Sequence, residues 1–209
     1  MEGIVNAIKK EMIIPVIKLD RIEDTIPLLD ALRKAGGNAA EITFRTKAAE
    51  SCLKLAAETY PDMLIGAGTV LNASQAERAV KAGAKFVVSP GYDAETSRYL
   101  KEKGILYIAG AVTPTEIMTL LNDGLNIVKF FPAENYGGIK TIKSLSMPFT
   151  DVVFIPTGGI SANNIMDYLS FDKVIAAGGS WMVKDNLIKE GRFDEITRLM
   201  TEALTLVRK

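Results

Sequence analysis

Eight short β-branched runs, longer helical patterns between them and a repeat of roughly 20–26 residues predict an α/β protein, a (β/α)8 (TIM) barrel with an extra N-terminal helix. That helix is read near 3–12, ahead of the first strand candidate, IIPVIKL at 13–19. The next strands are AAEITFR at 39–45, LIGAGTV at 64–70 and FVVSPG at 86–91. They are followed by LYIAGAV at 106–112, IVKFFPA at 127–133, VVFIPTGG at 152–159 and VIAAGGS at 174–180. Between strands, RKAGG, VKAGA, KEKGI and NDGLN read as helix ends, where glycine relieves left-handed strain. TPTE, Thr113 to Glu116, reads as a capping box with Pro114 at the first helical position, and NASQ, Asn72 to Gln75, reads similarly. No linker interrupts the series, so residues 1–209 are expected to form one domain. A doubly wound open sheet is the competing architecture. It seldom needs eight evenly spaced strands, and no GxGxxG follows the first one.

Composition removes several function classes. Of the 209 residues 48% are apolar, enough for one core, and 25 basic residues are mixed with 25 acidic ones. No basic block suggests nucleic acid or a membrane surface as partner, and no apolar run approaches the roughly 18 residues of a membrane span. The N-terminus has no secretory pattern, and the single cysteine, Cys52, cannot form an internal disulfide, so a reducing cytoplasm is expected. Cys52 is read as a core residue of the helix after the second strand. There is no histidine, which excludes histidine general bases and most zinc sites. No metal or cofactor is expected. Acid–base work falls to carboxylates, lysine, tyrosine or water.

Active sites of such barrels lie at the C-terminal ends of the strands. In AAEITFR, Glu41, Thr43 and Arg45 are expected on one face, with Ile42 and Phe44 turned to the helices. The threonine would stand about 7 Å and the arginine about 13 Å above the glutamate. In NIVKFFPAENYGG, Val128 and Phe130 share one face and Lys129 and Phe131 the other, which points Lys129 into the barrel. The competing readings are a buried ion pair kept for structure and a lysine that snorkels to solvent. A lysine amine is nucleophilic only when neutral, and burial disfavours the ammonium form. A neutral buried lysine facing a carbonyl forms a Schiff base, and a carboxylate such as Glu41 can shuttle protons beside it.

The last two strands end in PTGGIS, Pro156 to Ser161, and AAGGSW, Ala176 to Trp181. Paired glycines let backbone N–H groups close on an anion, and a following short helix would add its dipole. A phosphate site is therefore expected there, with Trp181 packing the helix on that side. Thr69 of GAGTV and Pro90 of VSPG stand at the rims of the third and fourth strands.

EITFRT, GAGTVL, SPG, KFFPAE, PTGGIS and GGSW, in this order, resemble the 2-keto-3-deoxy-6-phosphogluconate (KDPG) aldolases, which overlap with the 4-hydroxy-2-oxoglutarate (KHG) aldolases. The resemblance runs from about Ile13 to the C-terminal helix. It implies a metal-free homotrimeric barrel that splits its substrate through a lysine imine. Lys129 would form the imine with pyruvate, and Glu41 would be the general acid and base, acting with a water. Arg45 would hold the pyruvate carboxylate, helped by Thr69, with Pro90 and Phe131 lining the pocket. Gly158, Gly159, Gly179 and Ser180 would hold the phosphate. Thr157 and Ser180 favour the gluco over the galacto epimer. Lys18 stands where some relatives carry arginine; it can attract an anion but offers no bidentate fork. Two other readings stay open: a phosphosugar isomerase or epimerase, which needs no imine, and a non-catalytic phosphosugar-binding module.

Overall fold

The computed structural model describes residues 1–208. Helix α1, Glu2–Glu11, leads into β1, Ile13–Ile17. Seven further units follow. They are α2, Thr25–Lys34, and β2, Ala39–Thr43; α3, Ala49–Thr59, and β3, Leu64–Gly68; α4, Ala73–Lys81, and β4, Phe86–Val88. Then come α5, Ala94–Glu102, and β5, Leu106–Gly110; α6, Pro114–Asn122, and β6, Ile127–Phe130; α7, Gly138–Ser146, and β7, Val153–Pro156; α8, Ile165–Leu169, and β8, Ala177–Gly179. Two helices end the chain, α9, Asp185–Lys189, and α10, Phe193–Val207. All strand pairs are parallel, in the order β7-β6-β5-β4-β3-β2-β1-β8. Single bridges from Phe154 to Val174 and from Thr157 to Gly178 close β7 onto the β8 segment, giving a (β/α)8 barrel.

The helix ends follow the expected chemistry. Gly36, Gly83, Gly104 and Gly124 all take positive φ, between 67° and 96°. Thr113 accepts from the Glu116 N–H at 3.4 Å, and the Glu116 carboxylate accepts from the Thr113 N–H at 2.9 Å. Asn72 caps α4 by accepting from the Gln75 N–H at 2.9 Å. Replacing Thr113 by alanine leaves an orphan N–H and is expected to cost about 1 kcal/mol in urea unfolding, with no change in active-site chemistry.

Alternation along the strands sorts side chains into two shells. Ile17, Ile42, Ala67, Val87, Val128, Phe130 and Phe154 face outward and pack under the helices, where Cys52 is also fully buried. Ile14, Ala39, Leu64, Phe86, Ile108, Ile127 and Ile155 form a separate inner cluster. Helix α1 adds Ile4, Val5 and Ile8 to that inner cluster, so it stoppers the N-terminal mouth of the barrel. The opposite mouth, at the C-terminal ends of the strands, stays available for chemistry.

The strands are shorter than the sequence pattern suggests, and one expectation changes with them. β2 ends at Thr43, so Arg45 does not continue its inner face. Its N–H turns back to the Thr43 carbonyl at 2.8 Å, which ends the extended run. Phe44 packs against the outer shell as expected.

Candidate active site

Lys129 is the third residue of β6, flanked by Val128 and Phe130, both fully buried in the outer shell. The alternation turns Lys129 inward, where it is 5% exposed. Glu41, third in β2, is turned inward by the same rule and is 3% exposed. Lys129 Nζ lies 3.5 Å from Glu41 Oε1, bridging the barrel above the apolar layer of Ala39 and Ile127. The amine also sits 5.2 Å from the centre of the Phe131 ring. Taking two charges out of water costs several kcal/mol per ion, and such pairs often add less stability than apolar side chains would. A barrel whose inner cluster is otherwise apolar therefore has no packing reason for this pair. Chemically it is a nucleophile with an acid–base partner at the edge of hydrogen-bond reach.

Room for the pair comes from β3. A Cβ on Gly68 would fall 2.0 Å from Glu41 Oε1, and one on Gly66 would fall 2.3 Å from the Phe86 ring. GAGTV points to Thr69 at the rim from sequence, and neither of its glycines is given a role there. The available signal was two glycines, two apart, on the face where a barrel strand carries aliphatic residues. The next residue, Thr69, holds φ at +55°, a region β-branched residues rarely enter. Strain of this kind amounts to about 1–3 kcal/mol and gathers at functional sites. It is held here at the mouth by the Val70 N–H, which donates to the Val88 carbonyl at 3.1 Å.

Two hollows meet at Phe131. One, of about 170 Å³, is lined by Val16, Arg45, Thr157, Gly158, Gly159, Gly179 and Ser180, so the arginine and both glycine loops share one cavity. Val16 of that wall is the register partner of Glu41. The other, of about 260 Å³, is bounded by Pro90, Tyr92, Gly110, Glu116 and Phe131. Phe131, 38% exposed, borders both hollows and the Lys129 amine.

A family model described as KDPG and KHG aldolase matches residues 4–199. The chain belongs to the KDPG and KHG aldolase family. A 2-dehydro-3-deoxy-phosphogluconate aldolase of Treponema pallidum is 42% identical over 99% of both chains. A KHG/KDPG aldolase of Escherichia coli is 39% identical, over 92% of this chain and 90% of its own. Among solved structures, a KDPG aldolase from Legionella pneumophila, with pyruvate captured as a covalent carbinolamine, superposes with a TM-score of 0.91. It is 39% identical and covers 95% of this chain and 96% of its own.

Within this KDPG/KHG aldolase-family barrel, two expected members of the anion site lie elsewhere. Lys18 is not in the cavity wall. Its amine is tied to Asp20 at 2.9 Å and to Asp185 at 3.4 Å, and the Asp20 hydrogen bond raises its pKa above the ordinary lysine value. The expected helix dipole is also displaced. After Ser180 the chain makes a turn, with the Val183 N–H donating to the Ser180 carbonyl at 3.1 Å, and α9 starts only at Asp185. The glycine-loop side of the cavity is therefore formed by Thr157 to Ile160 and Gly178 to Ser180. Trp181 lays its ring over Gly179, where a Cβ would fall 1.9 Å from it, which accounts for glycine there.

Proposed function

We propose that the protein is a lyase that cleaves KDPG to pyruvate and glyceraldehyde 3-phosphate through an imine on Lys129, and that it also splits KHG to pyruvate and glyoxylate. The observation that carries this reading is the buried Lys129–Glu41 pair, 3.5 Å apart, in a chain of this aldolase family. The covalent carbinolamine of the Legionella relative supports it.

The Lys129 ammonium passes a proton to the Glu41 carboxylate 3.5 Å away, and the freed amine attacks the keto carbon and gives a carbinolamine. Its hydroxyl leaves as water with a proton supplied by Glu41, and an iminium remains. Glu41, now a carboxylate, takes the C4 hydroxyl proton, directly or through a water. The C3–C4 bond breaks, its electron pair moves towards the iminium nitrogen, and the aldehyde departs. Glu41 returns the proton to C3 of the enamine, and water hydrolyses the resulting pyruvate imine. Arg45 and Thr69 serve the pyruvate carboxylate, with Pro90 and Phe131 as walls. Gly158, Gly159, Gly179 and Ser180 serve the phosphate, and Thr157 and Ser180 on the same cavity wall favour the gluco epimer. Lys18, held by two carboxylates, is assigned no part in it. The family resemblance extends the reading to a cytoplasmic homotrimer, which light scattering on the purified protein checks.

Borohydride added to protein plus pyruvate should reduce the imine and fix a three-carbon adduct on the peptide that carries Lys129. Protein recovered without added mass would overturn the imine and leave an isomerase as the better reading.

A further inference from the structure

We propose that Glu134 and Tyr168 are positioning residues that aim the Gly158–Gly159 turn at the phosphate end of the substrate without touching it. This rests on the phosphate reading of that turn given above. Tyr168, in α8, is 1% exposed, and its hydroxyl donates to the Glu134 carboxylate. Glu134 stands in a short helical turn just beyond the end of β6, the strand that carries Lys129. Its side chain lies flat on Gly159, where φ is +78° and a Cβ would fall 2.4 Å from Glu134 Cγ.

The turn is clamped through its carbonyls. The Ala133 N–H donates to Thr157 O at 2.8 Å, the Glu134 N–H donates to Gly158 O at 3.2 Å, and Asn164 Nδ2 donates to Gly159 O at 3.0 Å. In a trans peptide the N–H points opposite to the C=O. With these three carbonyls taken up by protein donors, the N–H groups of Gly158, Gly159 and Ile160 are turned the other way, and all three residues line the cavity that holds Arg45. Such a row of N–H groups is an anion cradle.

The test compares phosphorylated KDPG with unphosphorylated KHG. Tyr168→Phe keeps the ring and removes the donor. It should raise KM for KDPG about tenfold and leave kcat within about twofold, the scale of one hydrogen bond to a charged group. KM for KHG and the yield of the borohydride-trapped pyruvate adduct should not move. Glu134→Ala should behave like Tyr168→Phe, while Glu134→Gln, which can still accept from the tyrosine, should retain near wild-type KM. Parallel losses on both substrates, tracking the folded fraction, would overturn the proposal in favour of a merely structural role. A wild type that gains nothing from the phosphate, and that inorganic phosphate does not inhibit, would sink the phosphate reading and this proposal with it. A wild type that discriminates, with a Tyr168→Phe variant that discriminates equally, would overturn the positioning role alone.

Discussion

Lys129→Ala should reduce turnover by a factor on the order of 10⁵ or more, the scale on which loss of a covalent nucleophile is felt, and should abolish the trapped pyruvate adduct. The same substitution acts on stability, because it strands the Glu41 carboxylate, 3% exposed, without its cation. Removing one member of a buried pair costs about 3–5 kcal/mol, so the midpoint of urea unfolding should fall clearly. Replacing both members by apolar side chains, as Lys129→Met with Glu41→Leu, should behave differently. The layer beneath is already apolar, with Ala39, Phe86 and Ile127, so the new side chains extend an existing cluster. Such replacements are neutral or stabilising by about 1–4 kcal/mol. The double variant is therefore expected to be inactive and at least as stable as the wild type. A double variant less stable than Lys129→Ala would mean that the pair is kept for the fold.

What could be read from the chain beforehand was what is local in sequence. Strand alternation turned Lys129 and Glu41 inward because a period of two needs only the neighbours Val128, Phe130 and Ile42. The capping box at Thr113 and the glycines that end the helices are decided within a few residues. Features set by contacts far apart in the chain were not legible. Lys18 is held first by Asp20, two residues on, a local pairing the strand pattern did not bring out, and also by Asp185, 167 residues on, which nothing near Lys18 announces. Glu134 meets Tyr168 across 34 residues and a whole βα unit. Strand ends were overestimated for a related reason. The apolar pattern runs on past the last ladder bond, while hydrogen bonds such as that from Arg45 to Thr43 decide where extension stops. Arg45 still shares a cavity with the glycine loops, but a turn carries it there, not the strand.

Glu41→Gln should lower kcat by roughly 10²–10⁴-fold, since it keeps the shape of the side chain and removes the group that carries the proton. Two glycine substitutions on β3 ask whether the position of that group matters as much as its identity. In Gly68→Ala the new methyl would fall 2.0 Å from Glu41 Oε1 and 2.6 Å from Cδ and Cγ, so the carboxylate has to swing aside. The obstructed atoms belong to the end of a flexible side chain. The stability cost should therefore sit near the lower end of the roughly 1–3 kcal/mol typical of overpacking. The loss of kcat should approach that of Glu41→Gln. In Gly66→Ala the methyl meets the Phe86 ring at 2.3 Å, and that ring is fully buried in the inner cluster with nowhere to turn. Here stability should fall by about 3 kcal/mol, towards the upper end for overpacking, while the folded fraction keeps most of its kcat. Thermal melts and single-turnover rates on the two variants separate these signatures. Gly68→Ala enzyme with undiminished kcat would show that proton transfer does not depend on where β3 lets the Glu41 carboxylate stand, and the assignment of Glu41 as acid and base would fall.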